Sequence, residues 1–299
     1  MREKRVAILG CGYVGTALAR VLVREGADVV GTTRRSSRFA EIEETGARAL
    51  LVDVMEPGSL QQVVDWQPHV VYDLIRPQRI GEDRYTTWGT RNVVQAFSTV
   101  PLEAIVYVSS TSVYGRRSGE WTDETTSVDP ASPIGTARVE SERLYLDAFA
   151  EAGLPVRICR VPGIYGPGRT LRQRLENGAY RRLNDEDLWV SRIHVDDLSE
   201  ALVAAWMRGS PGEIYLLCDD EPVTGEEYAE ITASLLALPL PPAVEREDIR
   251  HELSSSAFER RVSARRCSNR RMREELQVSP RFPSVREGLP AALRAEGAI

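Results

Sequence analysis

The sequence predicts an α/β protein: a doubly wound parallel sheet with a smaller C-terminal lobe. Three observations support it. Apolar runs of strand length alternate with segments of helical period as far as about residue 166, the pattern of βαβ units with helices on both faces of a parallel sheet. A glycine-rich turn joins the first run to the first helical segment. The 299 residues are 42% hydrophobic and 27% charged, the balance of an ordinary globular chain, long enough for one large domain and an appended one.

Residues 5–9 form an apolar run of strand length. Gly10-Cys11-Gly12-Tyr13-Val14-Gly15 follows, and residues 16–23 continue at helical period. The second strand covers 27–32, entered from the helix stop Glu25-Gly26, with a polar helix at 37–45. The third strand is 47–52, a short helix 60–66, the fourth strand 69–75, and a helix spans 84–97. The fifth strand, 104–108, ends in Ser109-Ser110. A long helix runs over 134–152, stopped by Gly153 and Pro155, and the sixth strand is 156–161. Beyond 166 the pattern loosens. Residues 169–188 are rich in arginine with little strand pattern, 191–198 return to the sheet and open a helix to 207, and 213–218 read as another strand. From Thr224 the chain reads as helices and turns around the break Leu238-Pro239-Leu240-Pro241-Pro242. The predicted division is 1–166 plus 193–218 for a dinucleotide-binding domain, and 167–192 plus 219–299 for a smaller substrate or lid lobe.

Strand, GxGxxG, helix is the context of the Rossmann-type dinucleotide fingerprint. Gly10 permits a tight turn, Gly12 lets backbone approach a pyrophosphate, and Gly15 lets helix pack on strand. Phosphate oxygens then meet the unpaired amides at the helix N-terminus, so Gly10, Gly12, Tyr13, Val14 and Gly15 are candidate cofactor contacts. In such sites the second strand usually ends in an acid that hydrogen-bonds the adenosine ribose. Here it ends Gly31-Thr32-Thr33-Arg34-Arg35, without a carboxylate. A hydroxyl and a guanidinium suit a 2′-phosphate, which favours NADP(H) over NAD(H) through Thr33, Arg34 and Arg35; solvated charges at a helix entry are the alternative for Arg34 and Arg35. Asp53, ending the third strand, either accepts from the adenine amino group or caps the next turn.

Composition excludes several classes. No apolar stretch reaches membrane-spanning length, and residues 1–5 run directly into the first strand, leaving no room for a signal peptide. Cys11, Cys159, Cys218 and Cys267 are scattered without CxxC or metal-ligand spacing, so no metal site and a reduced, cytoplasmic setting are expected. A formal charge of −6 gives no basic face for nucleic acid. The expected partner is a small-molecule substrate; the oligomeric state is open. Lys4 is the only lysine, leaving no ammonium in the body of the chain to tune a catalytic group.

Several motifs in order carry a family resemblance: the 10–15 turn, Val108-Ser109-Ser110-Thr111-Ser112-Val113-Tyr114-Gly115, the stretch 130–142, Arg160-Val161-Pro162-Gly163-Ile164-Tyr165-Gly166-Pro167-Gly168 and Ile193-His194-Val195-Asp196-Asp197-Leu198. With these the chain resembles the extended short-chain dehydrogenase/reductase superfamily, in its NAD-dependent epimerase/dehydratase group. The resemblance implies that Ser110 hydrogen-bonds the substrate oxygen and that Pro162 and Gly163 shape the nicotinamide pocket. It also implies a YxxxK pair on the following helix, where this chain reads Pro130-Ala131-Ser132-Pro133-Ile134-Gly135-Thr136-Ala137-Arg138. Ile134 stands at the tyrosine and Arg138 at the lysine. Isoleucine has no proton to exchange. Arg138, a helical turn further on, can hold ribose hydroxyls but cannot relay a proton.

This replacement, together with Ser268-Asn269-Arg270-Arg271-Met272 and Pro283-Ser284-Val285-Arg286-Glu287-Gly288-Leu289, resembles an atypical YeeZ-like branch lacking YxxxK. Tyr114 and Tyr165 are the candidate substitute acid–base groups, each with a packing role as the alternative. Glu124 reads as a solvated loop carboxylate, His194 as a hydrogen-bonded structural histidine, and Asp73 as a residue that fixes a loop. Thr111 and Ser112 stand where a dehydratase of the family carries Asp-Glu, which disfavours sugar-nucleotide dehydration. Arg169, Arg172, Arg174, Arg181 and Arg182 either clamp an anionic substrate or form a solvated face, and Arg260-Arg261 and Arg265-Arg266 carry the same two readings. The functional expectation is NADP(H)-dependent hydride transfer on a small or nucleotide-linked carbonyl or alcohol. A non-catalytic NADP(H) sensor or scaffold is the rival, and a nucleotide-sugar epimerase ranks third.

Overall fold

A computed structural model of the chain describes residues 1–115, 118–184 and 187–299. Seven strands form the main sheet: β1 (Arg5–Leu9), β2 (Asp28–Thr33), β3 (Arg48–Leu51), β4 (Val70–Asp73), β5 (Ala104–Ser110), β6 (Val156–Val161) and β7 (Ile214–Leu216). Their spatial order is β7-β6-β5-β4-β1-β2-β3, and every neighbouring pair is parallel. Strand order reverses at β1, which lies between β2 and β4 with Ala7 in register with Val30 and Val71. That crevice is where open α/β sheets take ligands.

Both faces of the sheet are covered, so its strands are largely apolar. Alternation along β1 sends Val6 and Ile8 into one core with Leu18 and Leu22 of α1 (Tyr13–Arg24) and Leu198 and Leu202 of α7 (Val195–Arg208). Ala7 and Leu9 enter the other, with Val93 and Phe97 of α4 (Trp88–Phe97) and Tyr145 of α5 (Pro133–Ala152). Short helices α2 (Phe39–Glu43) and α3 (Gln61–Asp65) connect the outer strands. Ser132 caps α5, accepting from the Gly135 amide at 3.3 Å, and Gly153 ends it in the left-handed region at φ 69°, the position where a residue without a Cβ is favoured.

After α6 (Arg172–Glu176), α8 (Gly225–Leu235) and α12 (Val285–Ala295) gather Tyr165, Leu175, Tyr180, Tyr228, Val285 and Leu289 into a further cluster. Another joins Leu183 and Leu188 to Ile249 of α9 (Arg246–Arg250) and to Phe258 and Val262 of α10 (Ser255–Val262). The remaining helix, α11, spans Arg270–Glu274.

Two predicted elements differ. The helix expected over 84–97 starts at Trp88, because Arg84–Thr86 pairs antiparallel with Gln78–Gly81, the chain reversing at Asp83 with φ 45°. Residues 191–198 do not rejoin the main sheet: Arg192–His194 pairs instead with Gly163–Tyr165 in a separate two-stranded parallel sheet. Pro162 follows β6 directly and has no N–H to continue the ladder, and β7 already occupies the place beside β6, Leu216 in register with Arg160.

Candidate cofactor and active site

The glycine turn after β1 is shaped as its spacing requires. Gly10 has φ +81°, and a Cβ there would lie 2.8 Å from Ile75 Cγ1. Its amide donates to Thr32 Oγ1 at 3.0 Å, while the Cys11 and Gly12 amides donate to the Thr32 and Gly10 carbonyls, each at 2.7 Å. A Cβ on Gly15 would come within 3.2–3.3 Å of Gly10 O, Cys11 Sγ and Ile8 Cγ2, so glycine is what lets α1 sit on β1. Around Gly12 the nearest such atom is 3.9 Å away, leaving room for a ligand to approach the backbone. Thr16 makes the first helical bond, to the Gly12 carbonyl at 2.8 Å. The amides of Tyr13, Val14 and Gly15 precede it, and the first turn of α1 holds no acid. Donors, helix dipole and open backbone suit a pyrophosphate.

At the end of β2, Thr33 is buried and its Oγ1 accepts from the Arg35 amide at 3.2 Å, with Arg34 and Arg35 exposed. Arg34 lies 3.9 Å from Asp53. Asp53 Oδ1 accepts from the Met55 amide at 3.0 Å, so this carboxylate does hold its own turn while remaining partly exposed.

β5 and β6 end together, Ser110 in register with Val161. Pro162 and Gly163 follow, and Gly163 is exposed. Ser110 lies within β5 rather than beyond it, and its Oγ accepts from the Ser112 amide at 3.2 Å, leaving the hydroxyl proton to donate. The first turn of α5 packs against this corner: a Cβ on Gly135 would meet the Ser112 carbonyl at 2.4 Å. Ile134 in that turn is buried. One turn on, Arg138 Nη1 donates to the Val108 carbonyl at 3.2 Å.

Neither proposed tyrosine is free. Tyr114 donates to the Asp123 carbonyl at 2.8 Å and accepts from Arg160 Nη1 at 2.9 Å; burial pushes its hydroxyl up to about 12. Tyr165 is fully buried, donates to the Ser284 carbonyl at 3.3 Å, and burial holds its hydroxyl far above the ordinary range. Glu124 is not solvated either. It is half-buried and accepts from the Leu216 amide of β7 at 2.7 Å, with burial raising its carboxyl. His194 caps α7, its Nδ1 accepting from the Asp196 amide at 3.2 Å, and burial lowers its pKa, keeping it neutral.

The arginine stretch is dispersed. Arg172 pairs with Glu176 at 2.8 Å, Arg174 lies over Tyr180, Arg181 is 3.9 Å from Glu252, Arg182 pairs with Glu226, and Arg169 lies over Tyr13 at 5.4 Å. The late basic groups act as glue as well: Arg261 donates to the Arg181 carbonyl, Arg265 to the carbonyls of Thr111 and Gly115, and Arg266 to that of Gly119.

Sequence reasoning missed the polar network beneath this corner. Glu142 of α5 and Arg160 of β6, with side chains 4% and 5% exposed, pair through both carboxylate oxygens, the shortest contact 2.7 Å; Ser109 donates to Glu142 at 2.5 Å. A charge on a strand otherwise buried on both faces was the available signal. Asp73 does more than anchor a loop. It does hold the Ile75 amide at 2.9 Å, and its other oxygen accepts from Tyr145 at 2.6 Å.

The open amides at the switch point and the serine at the neighbouring strand ends suit a dinucleotide-dependent type of site, and the chain belongs to the NAD dependent epimerase/dehydratase family, whose model matches residues 6–218. Among curated proteins it is similar to Protein YeeZ of Escherichia coli (strain K12), 27% identical over 220 residues that cover 72% of this chain and 77% of that protein. Among solved structures it is similar to a functionally unknown conserved protein from Silicibacter pomeroyi DSS, at 32% identity, TM-score 0.83, and coverage of 98% and 99% of the two chains. A UDP-glucuronic acid 4-epimerase from Bacillus cereus, in complex with UDP-glucuronic acid and NAD, shares the fold at 19% identity, TM-score 0.81, with 98% and 99% covered.

Proposed function

We propose that this protein is an NADP(H)-dependent oxidoreductase acting on a small or nucleotide-linked carbonyl or alcohol without the family's Tyr–Lys pair. The supporting observation is the pairing of an open, acid-free amide cradle at α1 with a Ser110 hydroxyl whose proton is still available. When bound, the dinucleotide supplies the hydride donor or acceptor. The amides of Tyr13, Val14 and Gly15 hold its pyrophosphate, with Gly12 giving the backbone room to approach it. Thr33, Arg34 and Arg35 hold a 2′-phosphate, and Asp53 lies on the adenine side. Arg138 holds ribose hydroxyls, and Pro162 and Gly163 wall the nicotinamide. Ser110 donates to the substrate oxygen and orients the reacting carbon. Ile134 exchanges no proton, and the hydroxyls of Tyr114 and Tyr165 are engaged, so the proton comes from solvent or from the substrate itself. The same reading takes 1–166 plus 193–218 as the nucleotide domain and 167–192 plus 219–299 as the lobe over the substrate. It sets the protein in the cytoplasm, in keeping with four buried free thiols.

The test is NADPH oxidation and NADP reduction across a panel of carbonyls and alcohols that includes UDP-sugars. Turnover that falls about tenfold or more in Ser110→Ala, with unchanged NADPH affinity, is the expected result. The isoleucine at 134 favours one other reading, a nucleotide sensor or scaffold. Stoichiometric NADPH binding, silence across the whole panel and indifference to Ser110→Ala would select it.

A further inference from the structure

Arg192 opens the short strand that pairs with Gly163–Tyr165, and it is in register with Gly163. Its guanidinium lies on the Tyr228 ring of α8, 3.9 Å from the centroid, and Tyr228 is 2% exposed. The ring face attracts the cation and takes water from one side of it. Nε is buried without a hydrogen-bond partner, and among the described residues Arg192 makes no salt bridge and its guanidinium has no acceptor. Nη1 reaches the exposed Gly163, where a Cβ would stand 2.8 Å from it. The guanidinium edge therefore lies beside the residue that follows β6 by two, at the end of the sheet where Ser110 also sits.

Asp219, just beyond β7, is its neighbour through the backbone: the Asp219 amide donates to the Arg192 carbonyl at 2.8 Å. The two side chains nonetheless form no ion pair within 4 Å, and neither Asp219 oxygen has a partner in strict hydrogen-bond geometry. Burial pushes this carboxyl well above the usual carboxylate range against the pull of the nearby Arg192, and its distance leaves the guanidinium without a direct ion-pair partner. A buried Nε with no acceptor is costly unless a ligand oxygen meets it, and the planar fork held on the aromatic floor is shaped to take such an oxyanion.

We infer that Arg192 is the anion-binding residue of the substrate site, holding a carboxylate or phosphate of the substrate in its guanidinium fork on the Tyr228 platform beside Gly163. This rests on the oxidoreductase reading for its substrate and narrows that substrate to an acidic one. It takes the place of the expected clamp at residues 169–182, where Arg172, Arg181 and Arg182 already face carboxylates.

Calorimetric titration of the full chain, with and without NADPH, tests it. The probes are inorganic phosphate and malonate, with chloride at matched ionic strength as the reference. One of the two oxyanions binds the wild type, which says whether phosphate or carboxylate is preferred. Its affinity falls about tenfold or more in Arg192→Met, recovers in part in Arg192→Lys, and is unchanged in the exposed Arg260→Met. Gly163→Ala, which crowds Nη1 while keeping the arginine, shows the same loss if Arg192→Met does not fold. The inference is overturned if neither anion binds beyond chloride, or if Arg192→Met and Gly163→Ala bind as the wild type does. NADPH binding in the same samples separates the failures: its loss from the wild type sinks the oxidoreductase reading, while the coenzyme-free titrations still decide Arg192.

Discussion

Asp73→Asn should make the protein's stability less sensitive to pH, in one direction. Asp73 closes β4, is 1% exposed, and holds the Ile75 amide beside the Gly10 turn with one oxygen and the Tyr145 hydroxyl of α5 with the other. Burial pushes its carboxyl up to about 6, against the opposing pull of those two hydrogen bonds and of Arg138. In the unfolded chain the group titrates near its ordinary 3.8. The folded state therefore holds the proton more tightly. The associated stability is full below 3.8 and is lost as pH rises through 6. Its total amplitude is about 3 kcal/mol, roughly half of it between about pH 5 and 8. Asparagine keeps both contacts, its carbonyl accepting from Ile75 and its amide donating to Tyr145, without a titrating group. Urea unfolding of both proteins at the two pH values isolates the effect, because every other titration cancels in the difference. The asparagine variant should gain about 1–2 kcal/mol on the wild type between pH 5 and 8. A gap that stays constant, or shrinks as pH rises, would refute the reasoning.

Four further outcomes are expected. Arg160→Met strands the buried Glu142 charge and should cost about 3–5 kcal/mol in urea unfolding, most of which returns when Glu142→Leu is added. Gly12→Ala, with no neighbour nearer than 3.9 Å, should leave the melting temperature nearly unchanged yet weaken NADPH binding by about tenfold or more. Gly10→Ala, at φ +81° and against Ile75, should lower stability by about 1–3 kcal/mol as well. Arg34→Ala should weaken NADPH by about tenfold in calorimetry and leave NADH unaffected, the low end for a charged hydrogen bond because the side chain is 66% exposed.

The parallel sheet, its glycine turn and the glycine stop of α5 were legible because each depends on neighbours in sequence: alternation, helical period, a residue without a Cβ. The separate pairing of Arg192–His194 was not, because β6 is broken by Pro162 and β7 arrives from fifty residues further on. Nor was the state of the polar groups. Tyr114 meets Arg160 across 46 residues, Glu124 meets Leu216 across 92, Tyr165 meets Ser284 across 119 and Arg265 meets Thr111 across 154.

By itself, then, the amino-acid order determined the class of sheet and the phosphate cradle, since both follow from backbone preferences over ten or so residues. Which hydroxyls, carboxylates and guanidinia remain free for a ligand was decided only when distant segments packed. A buried polar atom takes the best partner within about 3 Å, and chain separation says nothing about which partner that is. Arg192 stayed without an acceptor while Arg172, Arg181 and Arg182 found carboxylates, and that difference exists only in three dimensions.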